Sequence, residues 1–97
     1  MNIIEVIETS DVNRMNELLV CNSSEPIVLS LKRSATGTAC GYYIKNIGEG
    51  NVTVTPVVND FIDGSATRVL TQYESIYIID YSLNNWIVIS NNYITVI

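Results

Sequence analysis

The chain has no histidine. Ser–His and Cys–His nucleophile pairs are therefore excluded, because imidazole is their general base. A Ser–Lys pair would need a buried lysine; Ser30 and Lys32 share a strand face and read as ordinary surface. Cysteine is scarce: Cys21 and Cys40 alone could complete a four-ligand zinc site only with carboxylates. They read as reduced, buried thiols, with a disulfide open only if their strands come close. Basic residues are few, five against ten acidic ones, for a net charge of −5. Arg14, Lys32, Arg33, Lys45 and Arg68 are scattered, with one adjacent pair. A nucleic-acid footprint needs clustered Lys and Arg, so nucleic acid is excluded as a partner, and so is a polybasic membrane-surface helix. No apolar run approaches the roughly 18–20 residues of a membrane-spanning helix. Glu5 and Glu8 interrupt the apolar start and no basic segment precedes it, so no signal peptide is expected. Synthesis in the cytoplasm follows, which leaves the Asn-x-Ser/Thr triplets at Asn22 and Asn51 without a glycosylation role.

Charge as a whole is also thin. Only 15% of residues are charged, against a usual share of about 25%, while 47% are hydrophobic. A small domain leaves much of its surface exposed unless it associates. The composition therefore points to apolar surface buried against copies of the chain or a larger partner. The other reading is a compact monomer whose surface is rich in Asn, Ser and Thr. Ninety-seven residues make one domain, 1–97, with 1–10 as an arm or edge strand for partner contact.

What is present is a series of short β-prone segments with regular breakers, which predicts an all-β domain. Asn2–Glu8 places Ile4 and Val6 on one face and Ile3, Glu5 and Ile7 on the other. Over Ser10–Val20, helical spacing of Val12, Met15 and Leu18 competes with a loop followed by a strand over Glu17–Cys21, and the second reading is preferred. Pro26 opens a strand over Ile27–Leu31, and 32–41 is a small, polar loop. Tyr42–Ile47 and Asn51–Thr55, joined by Gly48-Glu49-Gly50, read as a β-hairpin. Asp63-Gly64 marks a turn and Arg68–Thr71 a short strand. Glu74–Asp80 is the strongest strand, with Ile76 and Ile78 on one face and Tyr77 and Ile79 on the other, as in a central strand or a subunit interface. Ser82–Asn85 turns the chain into Trp86–Ser90, and Tyr93–Ile97 is a last strand that must be paired. No internal repeat is recognisable.

Candidate chemistry is sparse. Glu5 and Glu8, three apart on a strand, point to opposite faces, and Asp60 and Asp63 flank a turn, so neither pair has the geometry of a glycosidase dyad. The segment Asn59–Gly64 lacks the alternating acids and distal Glu of a calcium loop. Gly48–Gly50 is followed by a strand and not by a phosphate-binding helix. Seven Tyr and Trp side chains could stack on sugars, although strand aromatics more often pack in cores and interfaces. The expectation is a protein with no catalytic residues, no metal and no cofactor.

The ordered string Ile44-Lys45-Asn46, Gly48–Gly50, Val52–Pro56, Ile62–Gly64, Tyr73–Ile79 and Trp86–Ile89 resembles a β-rich module of bacteriophage tail fibres, head fibres and capsid decoration proteins. The likeness runs over about residues 17–90, and it departs from the module in having no glycine in the link before Trp86. It implies a virion location and an antiparallel β-sandwich or barrel-like domain assembled as a homotrimer. The module is often one part of a long fibre, whereas here it fills nearly the whole chain from Met1, which favours a small stand-alone virion protein. On that reading the chain is a capsid decoration or cement protein bound to the major capsid protein or another virion protein. The alternative is a short fibre or baseplate module that binds host glycan. The expected oligomer contacts are Tyr77, Ile79, Trp86, Tyr93, Ile94 and Val96. The expected partner contacts are Ile3, Ile4 and Val6 in the first strand, and Arg33 and Thr36 in the loop.

Overall fold

A computed structural model describes residues 3–12, 18–32 and 41–91. These residues are all-β, with no helix among them. In chain order the strands are β1 (Ile3–Val6), β2 (Ser10–Asp11), β3 (Leu18–Cys21), β4 (Ile27–Ser30), β5 (Gly41–Asn46), β6 (Val52–Thr55), β7 (Phe61–Ile62), β8 (Arg68–Leu70), β9 (Ser75–Ser82) and β10 (Asn85–Asn91). They form a six-stranded sheet in the order β1-β3-β5-β9-β10-β7 and a four-stranded sheet in the order β2-β4-β6-β8.

The first six strands alternate between the two sheets. Each odd strand and the even strand after it make one coil, and three such coils stack with parallel pairing: β1 with β3 and β3 with β5 in one sheet, β2 with β4 and β4 with β6 in the other. Two corrections follow. Both sheets are mixed, not antiparallel. And β5 and β6, expected as a hairpin, lie in different sheets and do not pair.

The glycines between them serve a different purpose from the expected turn. Cys21 aligns with Asn46 and Ile27 with Val52, so the corner 22–26 stacks directly on the corner 47–51. A Cβ on Gly48 would lie 2.4 Å from the Ser23 backbone, and one on Gly50 would lie 2.1 Å from the Glu25 carbonyl oxygen. Only glycine allows this approach. The Gly50 N–H then donates to the Ser23 carbonyl at 2.9 Å, and the Ile27 N–H donates to the Asn51 carbonyl at 3.0 Å.

Asn46 fastens the corner from within. It is fully buried. Its Nδ2 donates to the carbonyls of Gly50 and Leu70, each at 3.0 Å, and its Oδ1 accepts from the Gly48 N–H at 3.0 Å. One side chain thus ties both sheets to the turn between them.

β9 pairs antiparallel with β10, as expected, and with β5, while β10 pairs parallel with β7 on its other side. β9 lies between β5 and β10, which makes Glu74–Asp80 a central strand. Leu83-Asn84 links β9 to β10, and Asn84 takes φ 68°, a conformation that asparagine tolerates in place of glycine. A bulge follows at Asn85/Trp86. The Asp63-Gly64 turn is as predicted. Both residues have positive φ, and Ile62 and Ser65 exchange reciprocal backbone bonds of 2.8 Å, which is the type I′ geometry favoured by Asp-Gly.

Strict alternation along the strands builds one core between the sheets. Leu19, Ile44 and Ile76 align across the larger sheet, and Ile27, Val52 and Leu70 align across the smaller one. Trp86 belongs to this core, with its ring centroid 5.8 Å from that of Tyr42.

Candidate interaction surfaces

The same alternation that fills the core sends a second apolar set outward from the six-stranded sheet. Ile3, Leu18, Tyr43 and Tyr77 align in one row across β1, β3, β5 and β9. Ile79 and Ile87 stand opposite one another in a further row across β9 and β10. None of these six side chains is buried; Ile3 is 68% exposed and Tyr43 38%. The Tyr43 and Tyr77 rings stack with centroids 4.1 Å apart and an interplanar angle of 17°. Beside them a shallow depression of about 280 Å3 is lined by Leu18, Lys45 and Ser75.

Charge on this face is slight. Glu5, Val20, Lys45 and Ser75 make the row beside the tyrosines. Lys45 turns its Nζ to the Tyr73 carbonyl at 2.7 Å, so its ammonium is held at the margin. With strands about 4.8 Å apart and a rise of about 3.3 Å per residue, each outward side chain occupies about 32 Å2, and the six cover about 190 Å2 in projection. The largest contiguous apolar patch on a soluble monomer is often its functional surface, and patches well above a few hundred Å2 mark interaction sites.

A second feature lies at the end of the coil stack. β1 is an edge of one sheet and β2 an edge of the other, and both edges belong to the first coil. Between them opens a recess of about 430 Å3 whose floor is Ile4, Val6, Val12, Leu19 and Leu29. Glu5, Glu8 and Asp11 stand exposed around it, and no lysine or arginine among the described residues lines it.

The residues anticipated from sequence fall into separate groups. Tyr77 and Ile79 lie on the outward sheet face. Ile3 and Ile4 lie on the edge strand, Ile3 outward and Ile4 toward the recess. Val6 is 8% exposed and belongs to the core where it meets the recess. Trp86 is 1% exposed and points inward opposite Asp80, because β10 alternates that way. Tyr93, Ile94, Val96, Arg33 and Thr36 lie outside the described residues. Tyr43, Leu18 and Ile87 were not singled out from sequence. The outward phase of Tyr43 was available from its alternation with Tyr42, but its alignment with Tyr77 exists only in the folded sheet.

The acidic residues considered for chemistry have structural surroundings. The Asp63 carboxylate accepts the Val88 N–H at 3.1 Å, which pins the Asp-Gly turn to β10. Glu74 accepts the Thr71 N–H at 2.7 Å, and that bond holds its carboxyl below the usual glutamate range. Among the described residues, no three His, Cys, Asp or Glu side chains converge as a metal site would require. Cys21 is a buried free thiol whose ionisation burial pushes up to about 11.

The chain matches no protein-family model, no curated protein and no solved structure.

Proposed function

We propose that the chain is a non-enzymatic phage virion structural protein, a trimeric capsid decoration or cement protein that bridges and stabilises capsid subunits. The phage assignment and the threefold state rest on the sequence resemblance. The observation that carries self-association is the outward apolar face centred on the Tyr43–Tyr77 stack. Burying such a face contributes about 25 cal/mol per Å2, and ordering and association costs offset much of the sum. Many weak contacts repeated over a lattice then bind by avidity.

Sedimentation equilibrium at micromolar concentration tests the assembly. A trimer is expected, and a Tyr77→Glu/Ile79→Lys variant should sediment as a folded monomer. A wild-type monomer would end the trimer reading. Addition to undecorated capsids, followed by cryo-EM, tests the location: regular density at symmetry-related capsid sites is expected, and bare capsids at saturating protein would count against decoration.

A glycan-binding fibre or baseplate module is the second reading. It is favoured by the exposure of Tyr73 at 64% and Tyr81 at 61%, since exposed tyrosines offer faces for sugar stacking. Binding to host polysaccharide that disappears in Tyr73→Ala or Tyr81→Ala would select it over decoration.

A further inference from the structure

We propose that the open end of the first coil is a strand-docking site for a partner protein's extended segment in which apolar and basic residues alternate. This rests on the reading of the chain as a module bound to a larger particle, and it names the chemistry of one contact.

Three observations meet at this end. First, among the described residues β1 pairs on one side only, with β3, so its other edge presents backbone groups that an added strand can bond. Second, the recess beside that edge has an apolar floor that continues the domain core: Leu19 and Leu29, 5% and 0% exposed, belong to both. In a stack of coils, an end without a polar cap is where the next unit adds. Third, the described rim carries three acids and no base. Glu5 lies on the outer phase of β1, Glu8 in the link to β2, and Asp11 on the outer phase of β2.

These features define the occupant. A strand laid along β1 alternates as β1 does. Its inward residues meet Ile4 and Val6 over the recess, which favours Val, Ile or Leu. Its outward residues meet Glu5, with Glu8 in the link beyond it, which favours Lys or Arg. Opposite charges across a strand pair stabilise it, and like charges destabilise it. A second copy docked through the same end would bring its own Glu5, Glu8 and Asp11 against these three. Charge therefore selects a basic partner over self-pairing.

Two synthetic peptides of the same length test this, one alternating valine with lysine and the other valine with glutamate, with capped termini. Each is titrated into the isotopically labelled full chain and followed by amide chemical shifts. The lysine peptide should shift amides of residues 3–12 and 18–21, and should bind at least about tenfold more tightly than the glutamate peptide, a difference of about 1.4 kcal/mol. Raising salt should weaken it. A Glu5→Lys/Glu8→Lys variant alters only exposed side chains and should keep its melting temperature while its preference inverts. Equal binding of both peptides, shifts confined to the outer sheet face, or dimerisation through β1 would each overturn the proposal. No virion component enters this assay. Peptide binding without capsid decoration would sink the decoration reading alone, and decoration without peptide binding would sink this one alone.

Discussion

At the scale of single residues, the decisive side chain is polar and buried. Asn46 satisfies three backbone groups at the corner between β5 and β6. Asn46→Ala leaves those groups without it, at about 1–3 kcal/mol for each that stays unsatisfied. We expect the chemical denaturation midpoint to fall by an amount equivalent to about 3 kcal/mol with an unchanged slope. Asn46→Asp keeps the acceptor but loses the donors and buries a charge, so its defect should be larger at pH 7 than at pH 4. Cys21 gives a prediction at the other end of the pH scale. Its ionisation is raised from an ordinary 9.0 to about 11, because burial disfavours the thiolate. The protonated thiol is the form the fold accepts, so its contribution to stability is complete below pH 9 and is lost as pH rises toward 11. Wild type should lose more stability than Cys21→Val across that window, and native Cys21 should resist alkylation at pH 8. None of the roles of Asn46 was legible in sequence. An asparagine before glycines reads as a turn former, and its three partners lie in segments brought together only by the fold.

At the scale of elements, the strands themselves were legible and their pairing was not. Alternation in Ile27–Leu31, Val52–Val54 and Ile76–Ile79 correctly separated inward from outward residues, because burial on one face of a strand imposes period two. The β9–β10 hairpin and the Asp63-Gly64 turn were also legible, since their geometry is set by neighbouring residues. Gly48–Gly50 misled because a short glycine-bearing link between two strands has two physical uses, a hairpin turn and a close approach of backbones. The distinguishing contact, with Ser23 and Glu25, is more than 20 residues away in sequence. The two uses predict different mutants. Gly50→Ala puts a Cβ against the Glu25 backbone and should cost about 3 kcal/mol or more through overpacking. Gly64 has φ 79° and open space around its Cβ position, so Gly64→Ala should cost only the left-handed backbone penalty of about 1–2 kcal/mol. Thermal unfolding of the pair measures the difference.

At the scale of the whole molecule, the outward tyrosine face and the acidic coil end meet along β1 but serve different proposed contacts, self-association centred on Tyr43 and Tyr77 and partner docking at the free edge of β1. They should therefore separate genetically. Tyr77→Glu/Ile79→Lys should abolish the trimer and still bind the lysine peptide, while Glu5→Lys/Glu8→Lys should remain trimeric and lose it. A single variant that removed both would show that the two surfaces act as one. The winding of the coils also governs the order in which the molecule can come into being. Each parallel neighbour lies 15 to 25 positions along the chain, as from Ile3 to Leu18 and from Leu18 to Tyr43, so a loop must close before each pairing is rewarded. Among the described strand pairs, only β9–β10 is local enough to form quickly. The strand that seals the free side of β5 is β9, which leaves the ribosome after all three coils have emerged. Until then the nascent chain carries an uncovered sheet edge at its centre, and the time spent waiting for residues 75–82 is when it is most open to misassembly.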